Sequence, residues 1–287
     1  MTEPNGKLVA LVDGSIYSQS VCDHAVWLAQ RTGWSVELVH VLGHREGTQH
    51  KDLSGAITLG ARTALLEELA EIDAQRAKVV SHRGRAILED ARAIFESAGI
   101  ENVTSRLRQG DLVESVLDQE SDADLVMIGK RGEAADFAKG HLGSNLERIV
   151  RSSRKPIFVA SRALQPINKV LIAYDGGTSA MKAVDHIARS PIYRGLEVHV
   201  VTVGSDTAST RKELEDARAM LKAAGTEAHI EVLSGQPETA LGDHVEGHDF
   251  DLLVMGAYGH SRIRSMIIGS TTTQMVRSCR IPIVLIR

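Results

Sequence analysis

The sequence has 287 residues, of which 43% are hydrophobic and 24% are charged, a composition typical of a soluble globular protein with about two domains. A net charge of −4 excludes general electrostatic attraction to nucleic acids or anionic membranes, and 3% aromatic residues argue against a base-stacking surface. The opening residues lack the apolar core of a signal peptide, and no apolar run approaches the ~20 residues of a membrane span. We therefore expect a cytoplasmic protein in which Cys22 and Cys279, which lack metal-ligand spacing, are reduced packing residues.

The first half of the chain alternates short apolar runs with helical patterns. Strands are predicted at 7–12, 35–41, 102–107, 124–128 and 156–160, and helices at 18–31, 59–98, 112–119 and from 143–145 to about 152. The long helix is expected to be interrupted near 81–84 and to cover the sheet, with a partner-binding lever as the alternative. Pro156 suits the start of an edge strand, because proline donates no ladder hydrogen bond.

After a linker at 161–168 the alternation begins again. Strands are predicted at 169–174, 197–203, 228–233, 251–255 and 282–286. Helices are predicted at 179–188 and 211–224, and a last one begins at 269–271. The residues that follow Gly235 are interpreted as a connection.

The second half is predicted to be a copy of the first, because the same residue types recur at a constant spacing. The pairs 162 residues apart include Asp13 with Asp175 and Val41 with Val203. Gly129 and Gly256 are only 127 residues apart, so the first half has extra residues, which fall in its long helical region. We expect two domains, at 1–161 and 168–287.

The alternation predicts an α/β fold: two tandem Rossmann-like domains, each a five-stranded parallel sheet with helices on both faces and right-handed crossovers. The strands are continuous apolar runs, as burial on both sides of a sheet requires. Ligands of such sheets bind beyond the carboxyl ends of the strands, where the strand order reverses. With the order 3-2-1-4-5 this point lies between strands 1 and 4. Asp13 and Gly129 are expected there in the first half, and Asp175 and Gly256 in the second.

Residues 256–273, with the sequence GAYGHSRIRSMIIGSTTT, connect the fourth strand of the second half to a helix. Glycines let a ligand approach the backbone, and a helix start offers free N–H groups and the positive end of the helix dipole to a phosphate. The segment carries His260, Arg262 and Arg264 and no acidic residue. We interpret it as a phosphate-binding loop. The alternative is an ordinary connection in which glycines make turns.

Each half resembles the universal stress protein family, and the whole chain is similar to the tandem form of that family. The nucleotide signature of the family is Gly, two residues, Gly, nine residues, Gly, and then Ser or Thr. The second half matches it at Gly256, Gly259, Gly269 and Ser270. The first half matches at Gly129, Gly132, Gly143 and Ser144, but its long gap has ten residues. The extra residue is either looped out or displaces the third glycine.

The resemblance implies a role for each of these residues. In the second half it implicates Asp175, Val203, Gly256, Gly259, Gly269, Ser270 and Thr271. The first two would fix adenine, Val203 through its backbone, and the glycines at 256 and 259 would admit ribose and phosphate. The last three would hold phosphates with N–H and hydroxyl donors. The matching first-half residues are Asp13, Val41, Gly129, Gly132, Gly143, Ser144 and Asn145, the last with an amide instead of a hydroxyl.

The function that the resemblance implies is an ATP-binding stress-response switch or adaptor. Its cofactor would be ATP, or AMP or ADP, with Mg²⁺ as a candidate companion, and its partner an unidentified protein. The halves would form an internal pseudo-dimer through their last strands, with a homodimer as a further option. One alternative is a slow ATPase in which Asp13, Asp175 or a loop histidine positions metal or water. Another is a binding module for a different small ligand, with one degenerate half.

Several residues also have purely structural interpretations. Asp13 and Asp175 precede glycine, a common place for aspartate in turns. Basic loop residues such as Lys130 are alternatively solvated charges. None of the twelve histidines forms a tight pair on one helix face, so His24 and His186 are predicted to pack or to lie at the surface, and no metal site is predicted. The sequence has no P-loop motif, which excludes a P-loop NTPase, and no Ser/His/Asp arrangement identifies a catalytic residue.

Overall fold

The computed structural model describes residues 6–43, 59–130, 144–257 and 269–287. The strands of the first half are β1 (Lys7–Leu11), β2 (Ser35–Leu42), β3 (Val103–Gln109), β4 (Leu125–Gly129) and β5 (Ile157–Ala160). Its helices are α1 (Ile16–Thr32), α2 (Leu59–Ser97), α3 (Leu112–Glu120) and α4 (Ser144–Ser152).

The second half repeats this order. Its strands are β6 (Lys169–Ala173), β7 (Glu197–Val203), β8 (Ala228–Leu233), β9 (Leu252–Gly256) and β10 (Ile283–Ile286). Its helices are α5 (Thr178–Arg189), α6 (Ala208–Ala223), α7 (Pro237–Gly247) and α8 (Ser270–Ser278), and a 3-10 helix (Pro191–Tyr193) follows α5. The sequence did not predict α7, which begins with proline at its first position and buries Leu241, His244 and Val245 on one side.

The ten strands form one sheet in the order β3-β2-β1-β4-β5-β10-β9-β6-β7-β8. Each half therefore has the predicted order 3-2-1-4-5, with parallel pairing inside the half. At the centre β5 pairs antiparallel with β10, with Phe158 opposite Val284, so the halves do join through their last strands. Because this seam is antiparallel, the strands of the two halves run in opposite directions.

The seam overturns the prediction of an edge strand after Pro156. β5 lies in the interior of the sheet, between β4 and β10. Pro156 stands just before the strand, and its carbonyl accepts a hydrogen bond of 3.0 Å from the Val126 N–H. Only the carbonyl is needed at that position, so proline is compatible with an interior strand.

The predicted interruption near 81–84 is wrong, because α2 is one continuous helix. A Cβ on Gly84 would lie 2.7 Å from Leu107 Cδ1 and 3.0 Å from His40 Cδ2, so glycine lets the helix approach the sheet closely. The prediction that α2 covers the sheet holds for its second part, where Leu88 and Phe95 are buried. Residues 66–79 are almost all exposed.

The core has two layers, one on each face of the sheet. One hydrophobic cluster joins α1, α2, α5 and α6 to the sheet through residues such as Val21, Leu88, Ala183 and Leu214. The other joins α3, α4, α7 and α8 through residues such as Val113, Ile149, Leu241 and Met275. Both clusters contain residues of both halves, so the core is continuous across the seam. Within the described ranges, no helix has the length and apolar character that crossing a membrane requires.

Candidate functional site

The turn after β6 places Asp175 at the predicted position in the second half. β6 and β9 are neighbours in the sheet, with Ala173 opposite Met255. Asp175 Oδ1 accepts a hydrogen bond of 2.9 Å from the Gly177 N–H. Gly176 has a φ of +73°, a backbone conformation that glycine adopts most easily. Asp175 therefore does shape a turn, as its structural interpretation states, and it lies at the strand ends where a ligand is expected.

Helix α5 begins directly beside Gly256. Its N-cap is Gly177, which has no side chain to cap the first N–H groups of the helix. A Cβ on Gly256 would lie 2.8 Å from Ser179 Cβ and 3.2 Å from the Ala180 nitrogen. Glycine at position 256 is thus required for the approach of the helix to β9, whatever it does for a ligand.

Helix α8 begins at the same place. Its N-cap is Gly269, again without a side-chain cap. The Gly269 N–H donates to the Ala257 carbonyl at 3.3 Å, and Thr272 Oγ1 donates to the Gly256 carbonyl at 3.0 Å. Ser270 is exposed, and Thr271 is partly buried. The positive ends of two helix dipoles therefore lie on either side of Gly256, an arrangement suited to an anion.

The rest of the predicted loop cannot be placed in the same way. Gly259, His260, Arg262 and Arg264 lie outside the described residues.

The space beyond the carboxyl ends of β6 and β9 is the second-half cleft. Its side away from the starts of α5 and α8 is acidic. Val203 ends β7, and the neighbouring Thr202 Oγ1 donates to the Tyr174 carbonyl at 2.7 Å. Burial raises the pKa of Tyr174, and the carboxylates of Glu213, Asp175 and Asp216 raise it further. A Cβ on Gly176 would lie 2.8 Å from Glu213 Oε2, so this carboxylate reaches the turn after β6. The cleft thus has an acidic side toward α6 and a positive side at the starts of α5 and α8.

The first-half cleft lies at the corresponding strand ends, but the polar side chains around it differ from those of the second half. Asp13 Oδ1 accepts hydrogen bonds of 3.0 Å from both the Ser15 N–H and Ser18 Oγ. Ser15 caps α1 by accepting from the Tyr17 N–H, whereas α5 has a glycine there. His40 Nδ1 lies 2.7 Å from the Val12 carbonyl, the contact that Thr202 makes in the second half.

Helix α2 packs over this first cleft. A cavity of about 260 Å³ remains, lined by Asp13, His40, Leu42, Val80, Arg83, Gly84 and Ile87. Gly14 has a φ of +74°, and a Cβ on it would lie 2.6 Å from Ile87 Cδ1. In the second half the shorter α6, of 16 residues, takes the place of the 39-residue α2. The two clefts are therefore unequal, because the apolar Ile87 side chain of α2 meets the turn at Gly14, whereas the Glu213 carboxylate of α6 meets the turn at Gly176.

The other first-half candidates that the structure describes lie in β2, at the end of β4 and at the start of α4. Val41 lies in β2 and is partly buried, and Gly129 ends β4 next to β1. Ser144 opens α4, and Asn145 is exposed in the first turn of that helix. Gly132 and Gly143 lie outside the described residues, as does the extra residue of the long gap.

Lys130 is not a solvated charge, because its side chain extends into the second half. Its ammonium donates to the carbonyls of Cys279 and Ile281 in the second half, the latter at 3.1 Å. Burial lowers the pKa of Lys130. Arg287 makes the reciprocal contact, donating to the Arg151 carbonyl at 2.8 Å. Sequence patterns could not reveal either contact, because both depend on how the halves meet.

His24 and His186 pack inside the protein, as predicted. His24 is fully buried, with Nδ1 2.7 Å from the Ser20 carbonyl. The His186 ring meets Tyr193 edge-on, with 5.5 Å between ring centroids. The thiols of Cys22 and Cys279 are free and buried, which agrees with their predicted packing role. Burial raises the pKa of Cys22 to about 12.

Comparisons with known proteins agree on one family. The model of the universal stress protein family matches residues 4–161 and 204–287. A curated universal stress protein of Synechocystis sp. is 38% identical over 284 residues, which cover 98% of this chain and 99% of that protein. The crystal structure of a universal stress protein from Archaeoglobus fulgidus has a TM-score of 0.75 at 21% identity and covers 98% of both chains, which shows the shared fold. A universal stress protein solved in complex with cAMP is 24% identical, covers 43% of this chain and has a TM-score of 0.38.

Proposed function

Because the chain belongs to the universal stress protein family, we propose that its second half binds an adenine nucleotide as part of a stress-response switch or adaptor. ATP is the proposed ligand, with AMP and ADP as its shorter forms and Mg²⁺ as a companion to the phosphates. The cleft between β6 and β9 is the proposed site.

The observation that carries the proposal is the convergence of two helix starts on Gly256. Both N-caps, Gly177 and Gly269, are glycines that provide no side-chain cap. Backbone N–H groups at such ends hydrogen-bond anionic oxygens, and the two helix dipoles favour negative charge. Ser270 and Thr271 add hydroxyl donors in the first turn of α8. This is the chemistry that a polyphosphate requires.

The charge difference across the cleft suggests how the nucleotide is oriented. Carboxylates such as Asp175 and Glu213 repel phosphate but accept hydrogen bonds from an amino group or a ribose hydroxyl. We therefore place the nucleoside toward β7 and α6, beside Asp175 and the backbone of Val203. The phosphates then extend toward the starts of α5 and α8.

The first half is proposed as the weaker site. Asp13 already accepts from Ser15 and Ser18, and Ser15 caps α1, so fewer polar groups remain for a ligand. Ile87 of α2 also lies against Gly14. A ligand at Asp13, Val41 and Gly129 must fit in the space that α2 leaves.

The direct test is the stability of the full-length protein with and without ATP. A ligand that binds only the folded state adds about 2.7 kcal/mol to the unfolding free energy at 100 times its dissociation constant. Asp175→Ala and Gly269→Val should lose most of this gain, whereas Asp13→Ala should lose little of it. Asp243→Ala, an exposed aspartate on α7, is the matched control. No stabilisation of the wild type by millimolar ATP would refute the proposal.

Phosphate release, measured on the same samples, distinguishes the switch from a slow ATPase. A switch binds ATP and leaves it intact, so the rate of release from the wild type should equal that from Gly269→Val. Turnover that is present in the wild type and lost in Gly269→Val would identify an enzyme instead.

A further inference from the structure

Three side chains with metal-binding groups lie together at the outer end of the second half, away from both clefts. Glu197 and His199 are two residues apart on β7, so they share one face of the sheet. His229 of β8 is the direct register partner of His199. Their ligand atoms all lie within 4.8 Å of one another.

We propose that Glu197, His199 and His229 form a binding site for a divalent transition-metal ion, with Zn²⁺ as the ion that fits best. Two imidazole nitrogens and one carboxylate oxygen are a donor set that zinc accepts, whereas Mg²⁺ and Ca²⁺ prefer oxygen ligands. Three protein ligands leave a fourth position of a tetrahedral ion for water or another ligand.

The distances need only a small adjustment. In a tetrahedral zinc site the ligand atoms are separated by ~3.4 Å, as zinc–ligand bonds of about 2.1 Å require. His199 Nε2 and Glu197 Oε1 are 2.6 Å apart, a separation at which a hydrogen joins them. Zinc would take the place of this hydrogen. The other separations between ligand atoms are all within 4.8 Å, and side-chain rotation can close them because Glu197 and His229 are exposed.

The central ligand is held in place by its surroundings. The His199 ring packs edge-on against the buried Phe250, with 5.0 Å between the ring centroids and 86° between the planes. It also lies 4.7 Å from the His229 ring, centroid to centroid. A ligand that is already oriented loses little conformational freedom when the metal binds. The site therefore has one fixed ligand and two that can close on the ion from solvent.

The neighbouring charges set the affinity. Lys169 is the register partner of Glu197, and its Nζ lies 3.7 Å from Glu197 Oε1. This cation competes with a metal ion for the carboxylate. A second carboxylate, Glu231, follows His229 by two residues. Its Oε2 lies 3.5 Å from His244 Nε2, so it pairs with a residue that is not one of the three proposed ligands.

Local sequence spacing could not reveal this site. The histidines lie 30 positions apart in the chain, and only the parallel register of β7 and β8 brings them side by side. Helix-based patterns, in which ligands three or four residues apart share a face, do not detect such a pair.

The experiment is a calorimetric titration of the chelator-treated full-length protein with Zn²⁺. We expect the wild type to bind one more equivalent than either His229→Gln or His199→Gln. Because His229 is exposed, its replacement should leave the fold intact, and the thermal unfolding midpoint checks this. Glu231→Gln, on the same face of the same strand, and His82→Gln, an exposed histidine on α2, are the matched controls and should keep the equivalent.

Two further measurements test the role of Lys169 and the selectivity for zinc over magnesium. Lys169→Gln should tighten zinc binding several-fold, because it removes the competing cation. An excess of Mg²⁺ should not displace zinc. The proposal is overturned if the wild type binds no zinc, or if His229→Gln and the wild type bind the same number of equivalents.

Discussion

The Lys130 ammonium, directly after β4 of the first half, donates a hydrogen bond of 3.1 Å to the carbonyl of Ile281 in the second half. Its other acceptor is the carbonyl of Cys279, the C-cap of α8. Arg287, directly after β10, donates to the carbonyls of Arg151 and Ser152 at the end of α4. Each half thus provides a cation for the negative end of a helix in the other half.

Lys130→Met should destabilise the protein by about 1–3 kcal/mol, because it leaves two partly buried carbonyls without their donor. Methionine keeps the length and apolar character of the side chain, so the loss would report the ammonium group. Urea unfolding measures the change. Lys212→Met, at an exposed position on α6, is the control and should shift the midpoint very little. Equal shifts in the two variants would contradict the role of the contact.

Gly256→Ala should destabilise the protein by about 1–3 kcal/mol, the usual cost of overpacking. The added Cβ would lie 2.8 Å from Ser179 Cβ. Ser179→Gly removes that atom, so the double variant should recover part of the loss. Gly204→Ala is the control, since a Cβ there meets nothing within 4 Å and the φ is not positive. If chemical denaturation finds no difference between Gly256→Ala and this control, the close approach of α5 does not require glycine.

Gly84→Leu should also cost about 1–3 kcal/mol, because its side chain would meet Leu107, His40 and Leu42. Arg85→Leu, at the next and exposed position of α2, adds the same side chain on the outside and should change stability by less than about 0.5 kcal/mol. Unfolding of both variants in urea compares the two positions. If Gly84→Leu were as well tolerated as Arg85→Leu, the close approach of α2 to β2 and β3 would not require glycine at position 84.

His186 should make stability depend on pH. Burial lowers the pKa of His186 from 6.5 to about 4, against the opposing effect of Asp185. Since the unfolded chain then binds the proton more tightly, the contribution to stability is complete above about pH 6.5 and is lost as the pH falls toward 4. The full loss is about 3 kcal/mol.

Unfolding free energies measured from neutral pH down to about pH 4 test this expectation. His186→Phe, which retains an aromatic ring beside Tyr193, should flatten the profile, whereas His82→Phe at an exposed position should not. A wild-type profile that keeps its slope in His186→Phe would assign the pH dependence to other groups.

The parts of the fold that could be predicted are those that local sequence determines. Buried strands are recognisable as continuous apolar runs, and the spacing between Asp13 and Asp175 revealed the duplication. Three features depend on contacts between residues that are distant in the sequence, which local sequence patterns do not reveal. They are the helical continuity at Gly84, the interior position of the strand after Pro156, and the hydrogen bonds of Lys130 to the second half. For the candidate cleft, the sequence indicated the strand ends and the glycines. It could not indicate that Gly256 also admits α5, or that α2 would reduce the space beside Asp13.

The antiparallel seam between β5 and β10 determines how a bivalent ligand can bind to this protein. Because the halves are antiparallel, the carboxyl ends of β1 and β4 point in one direction along the strands, and those of β6 and β9 point in the opposite direction. A molecule that carries two nucleotide groups on a short linker cannot reach both clefts of one chain, so it gains no avidity from their being joined. Such a molecule would instead connect separate chains. Within one chain, occupancy of one cleft can influence the other through the shared core and through side chains that join the halves, among them Lys130, Arg287 and Arg31, the last of which donates to the carbonyls of Ile192 and Arg194.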